Sequence, residues 1–172
     1  MSLDDDDFEL FGLPRRMSLQ REPIEQRRRE LQAAVHPDRF AAQGAVAQRL
    51  ATQWAMRVNE AYRRLVDPLR RAAALCELAG VAVDEHRNTS MPADFLMRQM
   101  QWREALEEAT SKAEVQALAC EVGQAEAGLQ EELVRLLDDR GDAQAAAVAV
   151  RAAMFVRRFG QDVEARLDTF KD

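Results

Sequence analysis

His36, Pro37 and Asp38 are the residues of this chain whose types and spacing best suit chemistry. An imidazole and a carboxylate on a proline-fixed turn could act as a general base and the group that orients it. The rest of such a mechanism is missing from the neighbourhood. No serine or cysteine nucleophile accompanies the turn, no glycine-rich loop offers to cradle phosphate, and His86 does not stand at metal-ligand spacing. Taken by itself the tripeptide is equally a plain helix-terminating turn, because proline pushes the preceding residue out of helix. Other reactive types are no more suggestive. Cys76 and Cys120 lie far apart without a CxxC partner, so neither a zinc site nor a disulfide framework is indicated, and both read as small buried apolar residues. Asp4, Asp5, Asp6 and Asp7 suit helix caps or a solvated tail better than a metal site, and His86 reads as a surface residue. No catalytic residue, metal or cofactor is expected, and an enzyme is the least favoured reading.

Composition narrows the class. The 172 residues are 47% apolar and 31% charged but only 6% aromatic, a balance typical of soluble helical proteins, so the fold is expected to be all-α. The length suffices for two small domains. No run approaches the roughly 20 apolar residues of a membrane span, and the acidic start lacks a signal peptide's basic region, so a cytoplasmic location is expected, with no membrane partner. A net charge of -6 argues against nucleic acid as the main partner. Charge is nonetheless uneven. Arg15, Arg16, Arg21, Arg27, Arg28, Arg29 and Arg39 crowd the N-terminal quarter, while acids dominate from Asp84 to Asp142, which suggests two modules with different partners.

The turn must be positioned by the helices on either side of it. Prolines at 14, 23, 37, 68 and 92 divide the first half into short elements. Phe8 to Gly12 reads as a short helix with aspartates at its start. A second helix runs from near Pro23 to about Val35, burying Ile24, Leu31 and either Ala34 or Val35. A third, from about Val46 to Val66, places Ala47, Leu50, Trp54, Val58, Ala61 and Leu65 on one stripe. Leu69 to Ala79 makes one more helix, stopped by Gly80.

After a polar stretch from Val81 to Pro92, three long helices are expected: Ala93 to Ala109, Lys112 to Arg140 and Asp142 to Lys171. Ser111 and Glu114 have capping-box spacing, and Gly141 falls where antiparallel helices must reverse. Val115, Leu118, Val122, Ala125, Leu129, Leu133 and Leu136 keep the three-four spacing of bundle packing. Gly123 and Gly128 each cost about 1 kcal/mol inside a helix, so a break is conceivable there.

At several independent points the sequence resembles the J-domain co-chaperones. DDFELFGL (Asp6 to Leu13) is similar to their first helix, Leu31 leads into HPDRF, and VNEAYRRL (Val58 to Leu65) with Asp67 and Pro68 is similar to their third helix and its end. LRRAAALCELAG and FLMRQMQWREALEE (Phe95 to Glu108) narrow the resemblance to the HscB co-chaperones of bacterial iron-sulfur cluster assembly, over nearly the whole chain. It implies a J-domain over 1–75, a helix end and linker over 76–92, and a C-terminal antiparallel three-helix domain over 93–172. It also implies that His36, Pro37 and Asp38, with Arg27, Arg29 and Arg39, engage an HscA-type chaperone and stimulate ATP hydrolysis carried out by that partner. The chain departs from the family pattern at Asp7 and Arg28, which replace aromatics, and at Ala33 and Ala34, which replace basic residues, so the basic patch thins near the turn.

The helix from Ala93 has two apolar faces. At about 100° per residue, Trp102 and Leu106 fall within roughly 20° of Phe95 and Ala109 within about 40°, whereas Leu96, Met97 and Met100 fall between about 100° and 200°, beside Glu104 and Glu108. The second face is either buried by the bundle, used in a homodimer, or offered to another protein. The HscB resemblance favours the last: Leu96, Met97, Met100, Gln101, Glu104 and Glu108, with Phe155 on the last helix, stand where that family contacts the scaffold protein IscU. Gln101 replaces a frequent acid. The competing readings are a J-protein serving another client and a helical nucleic-acid binder using the arginine-rich second helix.

Overall fold

The computed structural model describes residues 2–36, 44–83 and 91–170. All regular structure among them is helical. The chain divides into two compact units, Met1–Leu75 and Cys76–Asp172.

In the N-terminal unit α1 is Asp7–Phe11, α2 Arg21–Val35, α3 Ala45–Val66, and α4, Pro68–Leu78, begins there. The acidic start acts as a cap. Asp6 accepts from the backbone N–H groups of Phe8 and Glu9, while Glu9 returns a bond to the Asp6 N–H, so donors that a five-residue helix would leave orphaned are satisfied. Gly12 closes the helix at φ +61°, a left-handed conformation that glycine adopts without steric cost. The hairpin of α2 and α3 packs around Phe8, Phe11, Ile24, Leu31, Val35, Val58, Ala61 and Leu65. Val35 rather than Ala34 is the inward residue.

Two features of this unit differ from expectation. Leu50 is exposed and Ala51 is buried. Counting back from Val58, Ala51 falls within about 20° of the stripe's centre and Leu50 about 80° away. Asp7 is neither cap nor tail. It is 5% exposed and accepts ion pairs from Arg57 at 2.6 Å and Arg64 at 3.1 Å, while Arg57 also donates to the Asp5 carbonyl. The carboxylate that stands in place of an aromatic thus ties α1 to α3 by charge.

In the C-terminal unit α5 is Ala93–Glu108, α6 Lys112–Val134 and α7 Ala143–Asp168, with a π-helical turn over Arg135–Arg140. The Ser111–Glu114 capping box is formed in both directions. The helix runs unbroken through Gly123 and Gly128, and its irregularity falls at the π turn, where Gly141 at φ +66° donates to the Leu136 carbonyl. α7 brings a mostly alanine face, Ala146, Ala147, Ala149, Ala152 and Ala153, then the larger Val156, Phe159 and Val163. These last three share a core with Val115, Leu118 and Val122 of α6 and with Trp102.

The expectation for the cysteines holds for Cys76, which is fully buried, and fails for Cys120, which is exposed. Cys120 lies about 200° around α6 from Leu118, and that places it on the outward face. Among the described residues no helix is long and apolar enough to cross a membrane, and no three His, Cys, Asp or Glu side chains gather as metal ligands.

Candidate functional site

α2 ends at Val35 because Pro37 follows: His36, with φ -60° and ψ 126°, has already left the helix. Val35 anchors that end in the core while the next residue, His36, is exposed. The other turn residues singled out, Pro37, Asp38 and Arg39, lie outside the described residues. A side-chain bond from Gln32 to Asn59 at 3.0 Å links α2 to α3 just before the turn.

The two candidate arginines of α2 differ in role. Arg29 is exposed. Arg27 donates from Nε to the Phe11 carbonyl at 2.9 Å, an orphan acceptor at the end of α1, and pairs with Glu30 at 2.7 Å. It therefore holds α1 against α2 as well as lending charge to the surface. Arg28 lies over the Tyr62 ring, its guanidinium carbon 4.0 Å from the ring centroid, so this position still places a planar group against α3.

In the C-terminal unit the two faces of α5 separate as their periodicity requires. Trp102 is buried and donates from Nε1 to the Glu121 carboxylate of α6 at 2.8 Å, and Phe95 and Leu106 pack against the same core. Leu96, Met97 and Met100 remain 43%, 59% and 71% exposed. Gln101, Glu104 and Glu108 are exposed around them, so the apolar patch has a polar and acidic border. An exposed apolar patch edged by charge commonly marks a protein partner site, and flexible, polarisable methionine adapts to irregular surfaces.

Phe155 is half-buried rather than free. Its ring meets Phe95 edge-on at 5.8 Å and stacks on Phe159 at 6.2 Å. Sequence periodicity placed it off the main α7 stripe, and this ring contact with α5 was not legible from the wheel of either helix alone.

Residues 91–164 match the family model described as the HSCB C-terminal oligomerisation domain. The chain is 48% identical over 162 residues to the co-chaperone protein HscB homolog of Bordetella pertussis, covering 94% of this chain and 95% of that one. The chain belongs to the HscB co-chaperone family. The HscB homolog of Burkholderia multivorans is 44% identical over 171 residues, covering 98% and 97% of the two chains. Among solved structures, chaperone HscB from Vibrio cholerae superposes with a TM-score of 0.84 at 32% identity, covering 96% of this chain and 99% of that one. Human co-chaperone protein HscB, at 23% identity and a TM-score of 0.86, covering 99% of this chain and 84% of that one, shares the fold. The HscB resemblance drawn from LRRAAALCELAG and FLMRQMQWREALEE thus covers nearly the whole chain, as expected.

Proposed function

We propose that this HscB-family chain stimulates ATP hydrolysis by an HscA-type chaperone and delivers an IscU-type iron-sulfur scaffold to it, in the cytoplasm. The chemistry belongs to the chaperone. This chain supplies two recognition surfaces and no bond-making group. His36, Pro37 and Asp38 address the chaperone, with Arg29 and Arg39 attracting an acidic surface and Arg27 dividing its charge between that task and α1. Leu96, Met97, Met100, Gln101, Glu104, Glu108 and Phe155 address the scaffold. Holding both partners on one chain raises the effective concentration of client at the ATPase. The observation that carries the reading is the exposure of Leu96, Met97 and Met100 on the side of α5 away from its packed stripe.

The test is a chaperone ATPase assay with and without scaffold, paired with calorimetric titration of the scaffold. His36→Gln is expected to keep helicity and scaffold affinity while losing stimulation. Leu96→Ala, Met97→Ala and Met100→Ala together are expected to abolish scaffold binding. Undiminished stimulation in the first, or undiminished scaffold affinity in the second, overturns the corresponding half. A second reading follows from the matched family model, whose description names oligomerisation: the same α5 face could join two copies of this chain. Sedimentation showing a dimer that the triple change dissociates would favour it.

A further inference from the structure

Arg103 places a cation on the same part of α5, about 80° around the wheel from Phe95 and next to Leu96 at about 100°. Glu107, one turn further on, is the usual type of partner for such an arginine, yet the Arg103 guanidinium lies over the Phe155 ring, 5.7 Å from its centroid. That ring is already braced. Phe95 of α5 meets it in a T-shaped contact, Phe159 stacks on it with planes 6° apart, and Phe159 in turn stacks on Trp102 at 5.7 Å. Phe95, Phe155, Phe159 and Trp102 thus join α5 to α7, and Arg103 covers the half-buried Phe155 with its guanidinium.

We propose that Arg103 is a positioning residue of the partner face, holding Phe155 in register with Leu96 and Met100 so that α5 and α7 present one continuous apolar surface. This rests on the reading of that face as the scaffold site. A cation over an aromatic face is held more firmly once water is excluded, so an arriving apolar segment strengthens the contact instead of displacing it. Arginine suits the role better than lysine, because its planar, weakly hydrated group can stay on the ring as the surface closes.

The experiment titrates purified IscU-type scaffold protein into the full-length chain and into Arg103→Met, Phe155→Leu and the double variant. Arg103→Met keeps the length of the side chain and removes its charge. It should weaken binding by about two- to fivefold, Arg103→Lys should recover part of the loss, and the double variant should bind no more weakly than Phe155→Leu alone. Undiminished affinity in Arg103→Met, or an equal loss with and without Phe155, overturns the proposal; the latter outcome assigns Arg103 to an acidic group on the partner. A second arm needs no scaffold. Proton contacts between the Phe155 ring and those of Phe95 and Phe159, read by nuclear magnetic resonance in the free protein, should weaken in Arg103→Met at unchanged melting temperature. Unchanged contacts overturn the positioning role whatever the scaffold does. Failure of the parent chain to bind scaffold overturns the function proposed above and leaves this second arm to decide the role of Arg103.

Discussion

Replacing Asp7 with asparagine removes one charge and almost no volume, and leaves Arg57 and Arg64 facing each other without their shared counter-ion. Breaking a buried pair by removing one partner costs about 3–5 kcal/mol. The arginine side chains keep 21% and 35% of their surface in water, and Arg57 retains its bond to the Asp5 carbonyl, so hydration recovers part of the loss. A destabilisation of about 2–3 kcal/mol follows. In a unit of this size that lowers Tm by on the order of 10–20 °C. Trp54 reports the N-terminal unit and Trp102 the C-terminal one, so urea unfolding followed by fluorescence in a Trp102→Phe background isolates the effect. Asp4→Asn, at an exposed position, serves as control and should stay within about 0.5 kcal/mol of the parent. If Asp7→Asn behaves like that control, the ion pairs do not secure α1 and the reasoning fails. Replacing Asp7, Arg57 and Arg64 together by apolar residues should recover most of the loss, since a well-packed apolar substitute for a buried ion cluster is often neutral or stabilising.

Four further outcomes follow from the same structure. Arg29→Ala should weaken chaperone binding without changing stability, whereas Arg27→Ala should also cost about 1–2 kcal/mol in urea unfolding, because the Phe11 carbonyl loses a charged donor. Cys120 should react with a thiol reagent in the folded protein and Cys76 only on unfolding, since burial, aided by the Glu77 charge, pushes the Cys76 thiol up to about 11. With its folded value raised above the ordinary 9, Cys76 favours the folded state below pH 9, and that contribution should be lost as pH rises from about 9 to about 11, in unfolding titrations compared with Cys76→Ala. Gly141→Ala should destabilise the C-terminal unit by about 1 kcal/mol in thermal unfolding, because φ +66° is strained for any residue with a Cβ even though nothing crowds the position.

Much of the architecture was legible because the chain punctuates itself. Pro23, Pro68, Gly80 and Gly141 sit within two residues of helix boundaries, and Ser111 with Glu114 marks the start of α6. The two faces of α5 could be read from spacing alone, since Trp102 and Met100 differ by about 160° around the helix. Illegible features were those that depend on a second element. Asp7 looked like part of a solvated tail because nothing in DDDD reveals that Arg57 and Arg64 arrive from α3. Arg27 looked like surface charge because the Phe11 carbonyl it satisfies belongs to another helix. Cys120 departs from expectation for a different reason: the general preference of cysteine for the interior yields to a helical position that faces outward. The π turn at Arg135–Arg140 leaves no mark in composition, since an extra residue in one turn is set by how α6 must meet α7.

The helix that offers the apolar patch is also the one most lightly fastened to its unit. α7 sinks Ala146, Ala147, Ala149, Val150, Ala152, Ala153, Val156, Phe159 and Val163 into the interior, whereas α5 fully buries Trp102 alone. Its amide protons should therefore exchange with solvent through small local openings long before those of α7. Capture of a client would slow that exchange, so protection of α5 is itself a gauge of occupancy that requires no label on either protein.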